Sequence, residues 1–89
     1  MDLDRIADEF LRAAARNKWR RDWEGGGTYL YLEVSEFIEA LRGKRGDPTK
    51  EAGDVLLVLL SVLAAHGLST EDALASARRS AAIASALPT

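Results

Sequence analysis

The sequence contains no cysteine. That absence removes disulfides, thiolate metal ligands and cysteine nucleophiles together, and it suits a reducing compartment. There is no excess of positive charge either. Lys and Arg number 12 against 14 Asp and Glu, for a net charge of −2, so binding of nucleic acid by field alone is not expected, because that affinity rests on many basic contacts to phosphate. No apolar run is long enough to span a bilayer. The longest, VLLVLLSVLAA at residues 55–65, has the length of a buried core helix. The opening MDLDRIADEF is charged and lacks the apolar centre of an export signal. The expectation is a cytoplasmic protein with neither a membrane nor a nucleic acid as partner. No segment sustains period-2 alternation, and no repeat or low-complexity tract appears beyond an alanine and serine bias near the C-terminus.

What is present reads as one all-α domain over residues 1–89. A chain of 89 residues sits near the lower limit for a self-sufficient core, so association with copies of itself is expected. Leu3, Ile6, Ala7, Phe10, Leu11 and Ala14 recur at helical spacing and predict a first helix over about Asp4–Lys18. Gly25-Gly26-Gly27 has neither the lysine nor the spacing of a phosphate-binding loop, and it is read as a hinge that interrupts helical structure. Thr28 then caps a second helix carrying the stripe Leu30, Val34, Phe37 and Leu41 and ending near Gly43. Asp47-Pro48 is an N-cap followed by a first-turn proline, and the third helix runs from there to about His66, stopped by Gly67. Ser69 and Asp72 have capping-box spacing and open a fourth helix over about Thr70–Ala86, before Pro88.

The acidic residues fall where acids are costly. At about 100° per residue, Glu33 and Glu36 share a row with Ala40 beside the apolar stripe of the second helix, whereas Glu39 falls on the far, solvated side. Glu51 and Asp54 share a face with Val55, Val58 and Val62 in a helix that is apolar nearly all round and therefore expected to be buried. If the two rows face each other, four carboxylates meet in a partly desolvated pocket, where a cation must compensate them or their pKa values must shift. Oxygen ligands without His or Cys suit Mg²⁺ or Mn²⁺. A single Glu pair at this spacing is ordinarily surface charge. Two pairs on adjacent helices, each against an apolar stripe, bring a divalent site level with surface charge as a reading.

Glu33-x-x-Glu36 followed by Glu51-x-x-Asp54 resembles the signature of the MazG-like all-α nucleoside triphosphate pyrophosphohydrolases. LEVSEFIEALRGK is similar to that family's first motif helix, and EAGDVLLVLLSVLAAHGLSTEDAL to the second and its following turn, over about Tyr29–Leu74. The resemblance implies a four-helix MazG-like bundle completed by self-association, as a homodimer or homotetramer. It implies Mg²⁺-dependent hydrolysis of a nucleoside triphosphate to monophosphate and pyrophosphate, with Mn²⁺ as a substitute and non-canonical nucleotides among the conceivable targets. Glu33, Glu36, Glu51 and Asp54 would be the catalytic metal ligands, and the Mg²⁺ they hold would bind the triphosphate, lower the pKa of an attacking water and stabilise charge on the leaving pyrophosphate. The chain departs from the family pattern at Leu32, Val58 and Val62, and it carries Arg78-Arg79-Ser80 where many relatives have a Lys and Asn cluster. The resemblance thus speaks for the metal site rather than for base selection or phosphate clamping.

Trp19 and Trp23, near Lys18, Arg20 and Arg21, are candidates for stacking on a base and holding phosphates, and RNKW is similar to the segment before the motif helix in some pyrimidine-specific relatives; Arg78 and Arg79 join them. The alternative for the tryptophans is core or subunit contact. Lys44 and Arg45 can reach a phosphate from the loop between the motif helices, although basic loop residues are usually just solvated, and His66 is read as structural, at a helix end where the macrodipole favours a cation. The rival functions are hydrolysis of another diphosphate-containing nucleotide and a non-catalytic helical interaction module that keeps the acids for structure.

Overall fold

The computed structural model describes residues 1–86 as α1 (Leu3–Arg16), α2 (Trp23–Leu41), α3 (Pro48–Ala65) and α4 (Thr70–Ala86), with no strand among the described residues. Pro88 lies outside them. The all-α expectation holds, and the helix ends follow from local chemistry. Asp2 caps α1 by accepting from the backbone N of Arg5 at 3.0 Å, and Lys18 reverses the chain after it with φ of 57°. Asp47 accepts from the N of Thr49 at 3.1 Å ahead of Pro48, and Gly67 ends α3 with φ of 69°. The capping box at α4 is formed in half by its own residues, Ser69 Oγ accepting from Asp72 N at 3.1 Å. Asp4 of α1 supplies the rest, accepting from Ser69 Oγ at 2.7 Å and from Thr70 N at 2.6 Å.

The three consecutive glycines are not a hinge, and Thr28 is not a cap. Both lie inside α2, where the Thr28 hydroxyl donates to the Glu24 carbonyl one turn back. The glycines answer to crowding instead. A Cβ on Gly25 would stand 2.6 Å from Arg20 Cβ, and one on Gly26 would stand 2.7 Å from Val62 Cγ2. Only a residue without a side chain lets the 20–22 segment and α3 approach this first turn so closely.

Packing is organised around α3. Both α1 and α2 pack on it but not on each other, and α4 touches α1 and α3 without reaching α2. The buried apolar residues are Ala7, Ala14, Ala40, Val58 and Leu60, and Ser61 is the one side chain of the described residues with no exposure at all. This is a thin core. The radius of gyration is 14.8 Å, against about 12 Å for a compact domain of this length. The chain exposes 6464 Å², where a folded monomer of 9.7 kDa exposes about 5,100 Å². Beyond Thr70, α4 is exposed throughout.

The expectation that α3 is buried all round is therefore overturned within the single chain. Leu56 and Leu59 stay exposed on it, because α1, α2 and the root of α4 leave one side uncovered. Around them Leu3, Ile6, Phe10, Leu63 and Leu74 line an apolar groove of about 530 Å³. A second open face lies on α2, where Tyr31 (81% exposed), Val34, Ile38 and Leu41 (61%) recur at alternating three- and four-residue spacing. No single helix among the described residues is long and apolar enough to cross a membrane.

Candidate metal centre

The rotation of α2 decides where its acids go. Ala40 is buried and Glu33 and Glu36 are half-buried toward α3, while Val34, Ile38 and Leu41 turn outward. Glu51 comes from the first turn of α3, which Asp47 and Pro48 fix in place. One carboxylate oxygen from each of Glu33, Glu36 and Glu51 lies within 4.8 Å of the others. The loop between the helices makes room: Gly46 has φ of 80°, and a Cβ there would stand 3.3 Å from Glu51 Oε1. The resulting cleft, about 310 Å³, is lined by Glu36, Arg45, Gly46 and Glu51.

Two atoms of this cluster show what it is short of. Glu33 Oε2 and Glu51 Oε2 are buried and accept no hydrogen bond from any described residue. Buried carboxylate oxygens ordinarily have partners, and leaving them without any is expensive. Burial first, and then the charges of Glu36, Asp54 and Glu51, pushes the Glu33 carboxyl above its ordinary value. A cation among the three acids would relieve all of this at once, and a set of carboxylate oxygens without imidazole or thiolate matches Mg²⁺ or Mn²⁺.

The four predicted ligands divide three to one. Asp54 acts on Glu33 through its charge, but its carboxylate is held by Lys50 Nζ at 2.9 Å. Lys50 also stands 4.0 Å from Glu51 Oε1, and these contacts, Asp54 first, raise its own pKa. Lys50 is the cation that sequence reading passed over, although its four-residue spacing to Asp54 on a helix is the spacing of an ion pair. Glu39 is half-buried rather than freely solvated, and it pairs with Arg45 Nε at 3.0 Å. Arg45 thereby sits at the rim of the acidic cleft. Lys44 is exposed.

The other candidates are scattered. Arg78 and Arg79 lie exposed on α4, which does not touch α2, so within one chain they are not brought to the carboxylates. Lys18 occupies the turn after α1 with its side chain exposed, and Trp23 is 74% exposed at the start of α2. His66 is the C-cap of α3, with Nδ1 2.8 Å from the Val62 carbonyl. Trp19 does approach the site. It lines a second cavity of about 260 Å³ with Arg21, Tyr29, Glu33, Asp54, Leu57 and Val58.

Arg21, a basic residue expected to hold phosphate beside the tryptophans, is instead buried, which the sequence did not announce. It is 7% exposed, with Nε donating to Ser61 Oγ at 2.6 Å and Nη1 to the Arg20 carbonyl at 2.8 Å. Its guanidinium lies over the rings of both Trp19 and Tyr29, 5.6 Å from each centroid. Burial pulls its pKa down, and the nearby Tyr29 and Glu33 oppose that pull. The doublet Arg20-Arg21 gives no sign of this division in sequence, since Arg20 is exposed and paired with Asp22 at 2.6 Å.

Comparison with known proteins returned no matching family model, no matching curated protein and no matching solved structure.

Proposed function

We propose that this protein is a Mg²⁺-dependent nucleoside triphosphate pyrophosphohydrolase, releasing pyrophosphate and a nucleoside monophosphate. The observation that carries the reading is the convergence of Glu33, Glu36 and Glu51, with two of their oxygens buried and unpartnered. The resemblance of both motif helices to the MazG-like family names the reaction. When bound, Mg²⁺ supplies Lewis acidity toward phosphate oxygens and acidifies water. The chain's own residues do the rest. Glu33, Glu36 and Glu51 hold the ion; Asp54, poised on Lys50, is the fourth acid the resemblance assigns; Arg45 stands at the rim of the cleft where a phosphate tail would leave it.

The exposed faces belong to the same proposal. The apolar groove beside Leu56 and the stripe Tyr31, Val34, Ile38 and Leu41 fit copies of this chain, and heptad-like spacing is what one helix offers another. The area above that of a compact monomer is of the order of the roughly 800 Å² that each partner buries in a standard interface. A homodimer or homotetramer completes the core.

The test is pyrophosphate release from a panel of canonical and modified ribonucleoside and deoxyribonucleoside triphosphates with Mg²⁺. Turnover that chelation abolishes supports the enzyme. Folded, metal-binding protein without turnover on any triphosphate or diphosphate-containing nucleotide would place the chain among helical interaction modules.

A further inference from the structure

The cavity beside the acids has an uncommon wall. Arg21 is buried, lies over the rings of Trp19 and Tyr29 at 5.6 Å from each centroid, and is tied to Ser61 on α3 and to the Arg20 carbonyl, so its guanidinium is oriented before any ligand arrives. Nε and Nη1 are engaged by Ser61 and the Arg20 carbonyl, and no carboxylate among the described residues forms a salt bridge with it. A guanidinium has donors only and cannot become an acceptor. Whatever meets it must therefore present an acceptor.

The other walls narrow the class. Trp19, Tyr29, Leu57 and Val58 favour a flat, largely apolar body, and about 260 Å³ accommodates a single ring system rather than a whole nucleotide. Glu33 and Asp54 border the same cavity, and their charge repels a bare phosphate there. They also join it to the acidic centre, so a ligand whose phosphates lie among the acids can place its ring beside Arg21. We propose that Arg21 is a specificity-determining residue that selects nucleotides whose base carries a keto oxygen on the edge away from the sugar. Uracil, thymine, guanine and hypoxanthine qualify. Cytosine and adenine present an amino group there, which would set donor against donor.

This inference rests on reading the acidic cleft as the phosphate end of a nucleotide site. The experiment has two arms. In the first, kcat/KM with Mg²⁺ is measured for dUTP, dTTP and dITP against dCTP and dATP, in the wild type, Arg21→Lys and Arg21→Met. The wild type is expected to favour the keto bases by about tenfold or more, the scale of one well-made guanidinium contact to a base. Arg21→Met should bring the ratio to about unity by losing the keto substrates, and Arg21→Lys should fall between. In the second, calorimetry with Mg²⁺ compares dUMP with dCMP, which have no anhydride bond to cleave and so report base recognition without turnover. Should Arg21→Met fail to fold, the wild-type preference in both arms and its reduction in Ser61→Ala, which frees the guanidinium, decide the matter. Hydrolysis with no keto preference overturns the role of Arg21 and leaves the proposed enzyme standing. Keto-selective binding of the monophosphates without any hydrolysis does the reverse. Absence of both preference and binding overturns the role of Arg21.

Discussion

Ser61 Oγ accepts a 2.6 Å hydrogen bond from Arg21 Nε, and this bond joins the segment before α2 to the middle of α3. Ser61 also faces the carbonyls of Leu57 and Val58 at 2.8 and 3.0 Å, so a small hydroxyl reconciles a helix backbone with a buried cation. Deleting that hydroxyl leaves a buried charged donor unpaired, at a cost of about 1–3 kcal/mol. Ser61→Ala is expected to lose stability on that scale in urea unfolding. Ser35→Ala, on the exposed side of α2, should change it by less than about 0.5 kcal/mol.

The glycine run makes a sharper test of the fold. Gly26→Ala places a methyl 2.7 Å from Val62 Cγ2 and 3.2 Å from the Arg21 backbone, an overpacking expected to cost about 1–3 kcal/mol. Gly27 has nothing within 4 Å of its would-be Cβ and sits in the same helix. Gly27→Ala should stabilise by about 0.5–1 kcal/mol. A hinge would be harmed by both changes, whereas the helix gains from one, and paired thermal melts distinguish them.

These glycines mark the boundary of what the sequence makes legible. Asp47-Pro48, Gly67 and the Ser69–Asp72 pair act within a turn of themselves, so their caps can be read directly, and the Glu33–Glu36–Ala40 row follows from helical period alone. The reason for Gly26 is Val62, far along the chain on α3, and no local pattern announces it. The burial of Arg21 is hidden for the same reason: beside Trp19 it reads as a basic residue open to phosphate, and only the arrival of Ser61 and Tyr29 with Trp19 buries it. The convergence of Glu33, Glu36 and Glu51 was legible because two periodicities and a short loop compel it; the diversion of Asp54 to Lys50 was readable from spacing and was passed over.

Self-association should be visible in solution. Light scattering at micromolar concentration is expected to give the mass of at least two chains, and a stable 9.7 kDa species would contradict it. Ile38→Glu, in the middle of the exposed α2 stripe, should shift the distribution toward single chains, since a charge in an apolar helix seam opposes pairing.

Asp4 gives the fold a pH dependence of definite sign. The hydrogen bond from Ser69, helped by the backbone N–H groups of Glu71 and Thr70, holds its carboxyl below the ordinary 3.8 against the opposing effect of burial. A folded-state pKa below the unfolded one means that the folded chain binds fewer protons, so this contribution is present above about pH 3.8 and is lost as pH falls through the lower folded value. Asp4→Asn is expected to be less stable than the wild type at pH 6. The gap should close as the melts are repeated toward pH 2.5, and a gap that stayed constant would remove Asp4 as the group responsible.

The carboxylates test the proposed centre one at a time. Glu33→Gln, Glu36→Gln and Glu51→Gln each keep the shape of the side chain while deleting one anionic oxygen ligand, so Mg²⁺-dependent turnover should collapse in all three. Metal-dependent stabilisation should go with it. In the wild type, an ion bound only by the folded state adds about 2.7 kcal/mol at a hundredfold excess over Kd, read as a rise in melting temperature of several degrees in millimolar Mg²⁺. Without metal the sign reverses for Glu33. Its raised pKa means that the folded state holds this proton more tightly than the unfolded state, so folding is disfavoured above that pKa and relieved below about 4.5. Glu33→Gln should therefore melt higher than the wild type in EDTA at pH 7, with the advantage vanishing in acid. Asp54→Asn should lose activity but retain more of the Mg²⁺ stabilisation, because Lys50 rather than the cluster holds this carboxylate in the metal-free fold. Glu39→Gln is the control: it shares helix and chemistry, and although Glu39 is half-buried its pair with Arg45 leaves 41% and 68% of the two side chains in water, where such pairs contribute about 0–1 kcal/mol. Turnover there should be nearly unchanged. Equal damage from Glu39→Gln and Glu36→Gln would mean that the rotation of α2, and the centre built on it, is wrong.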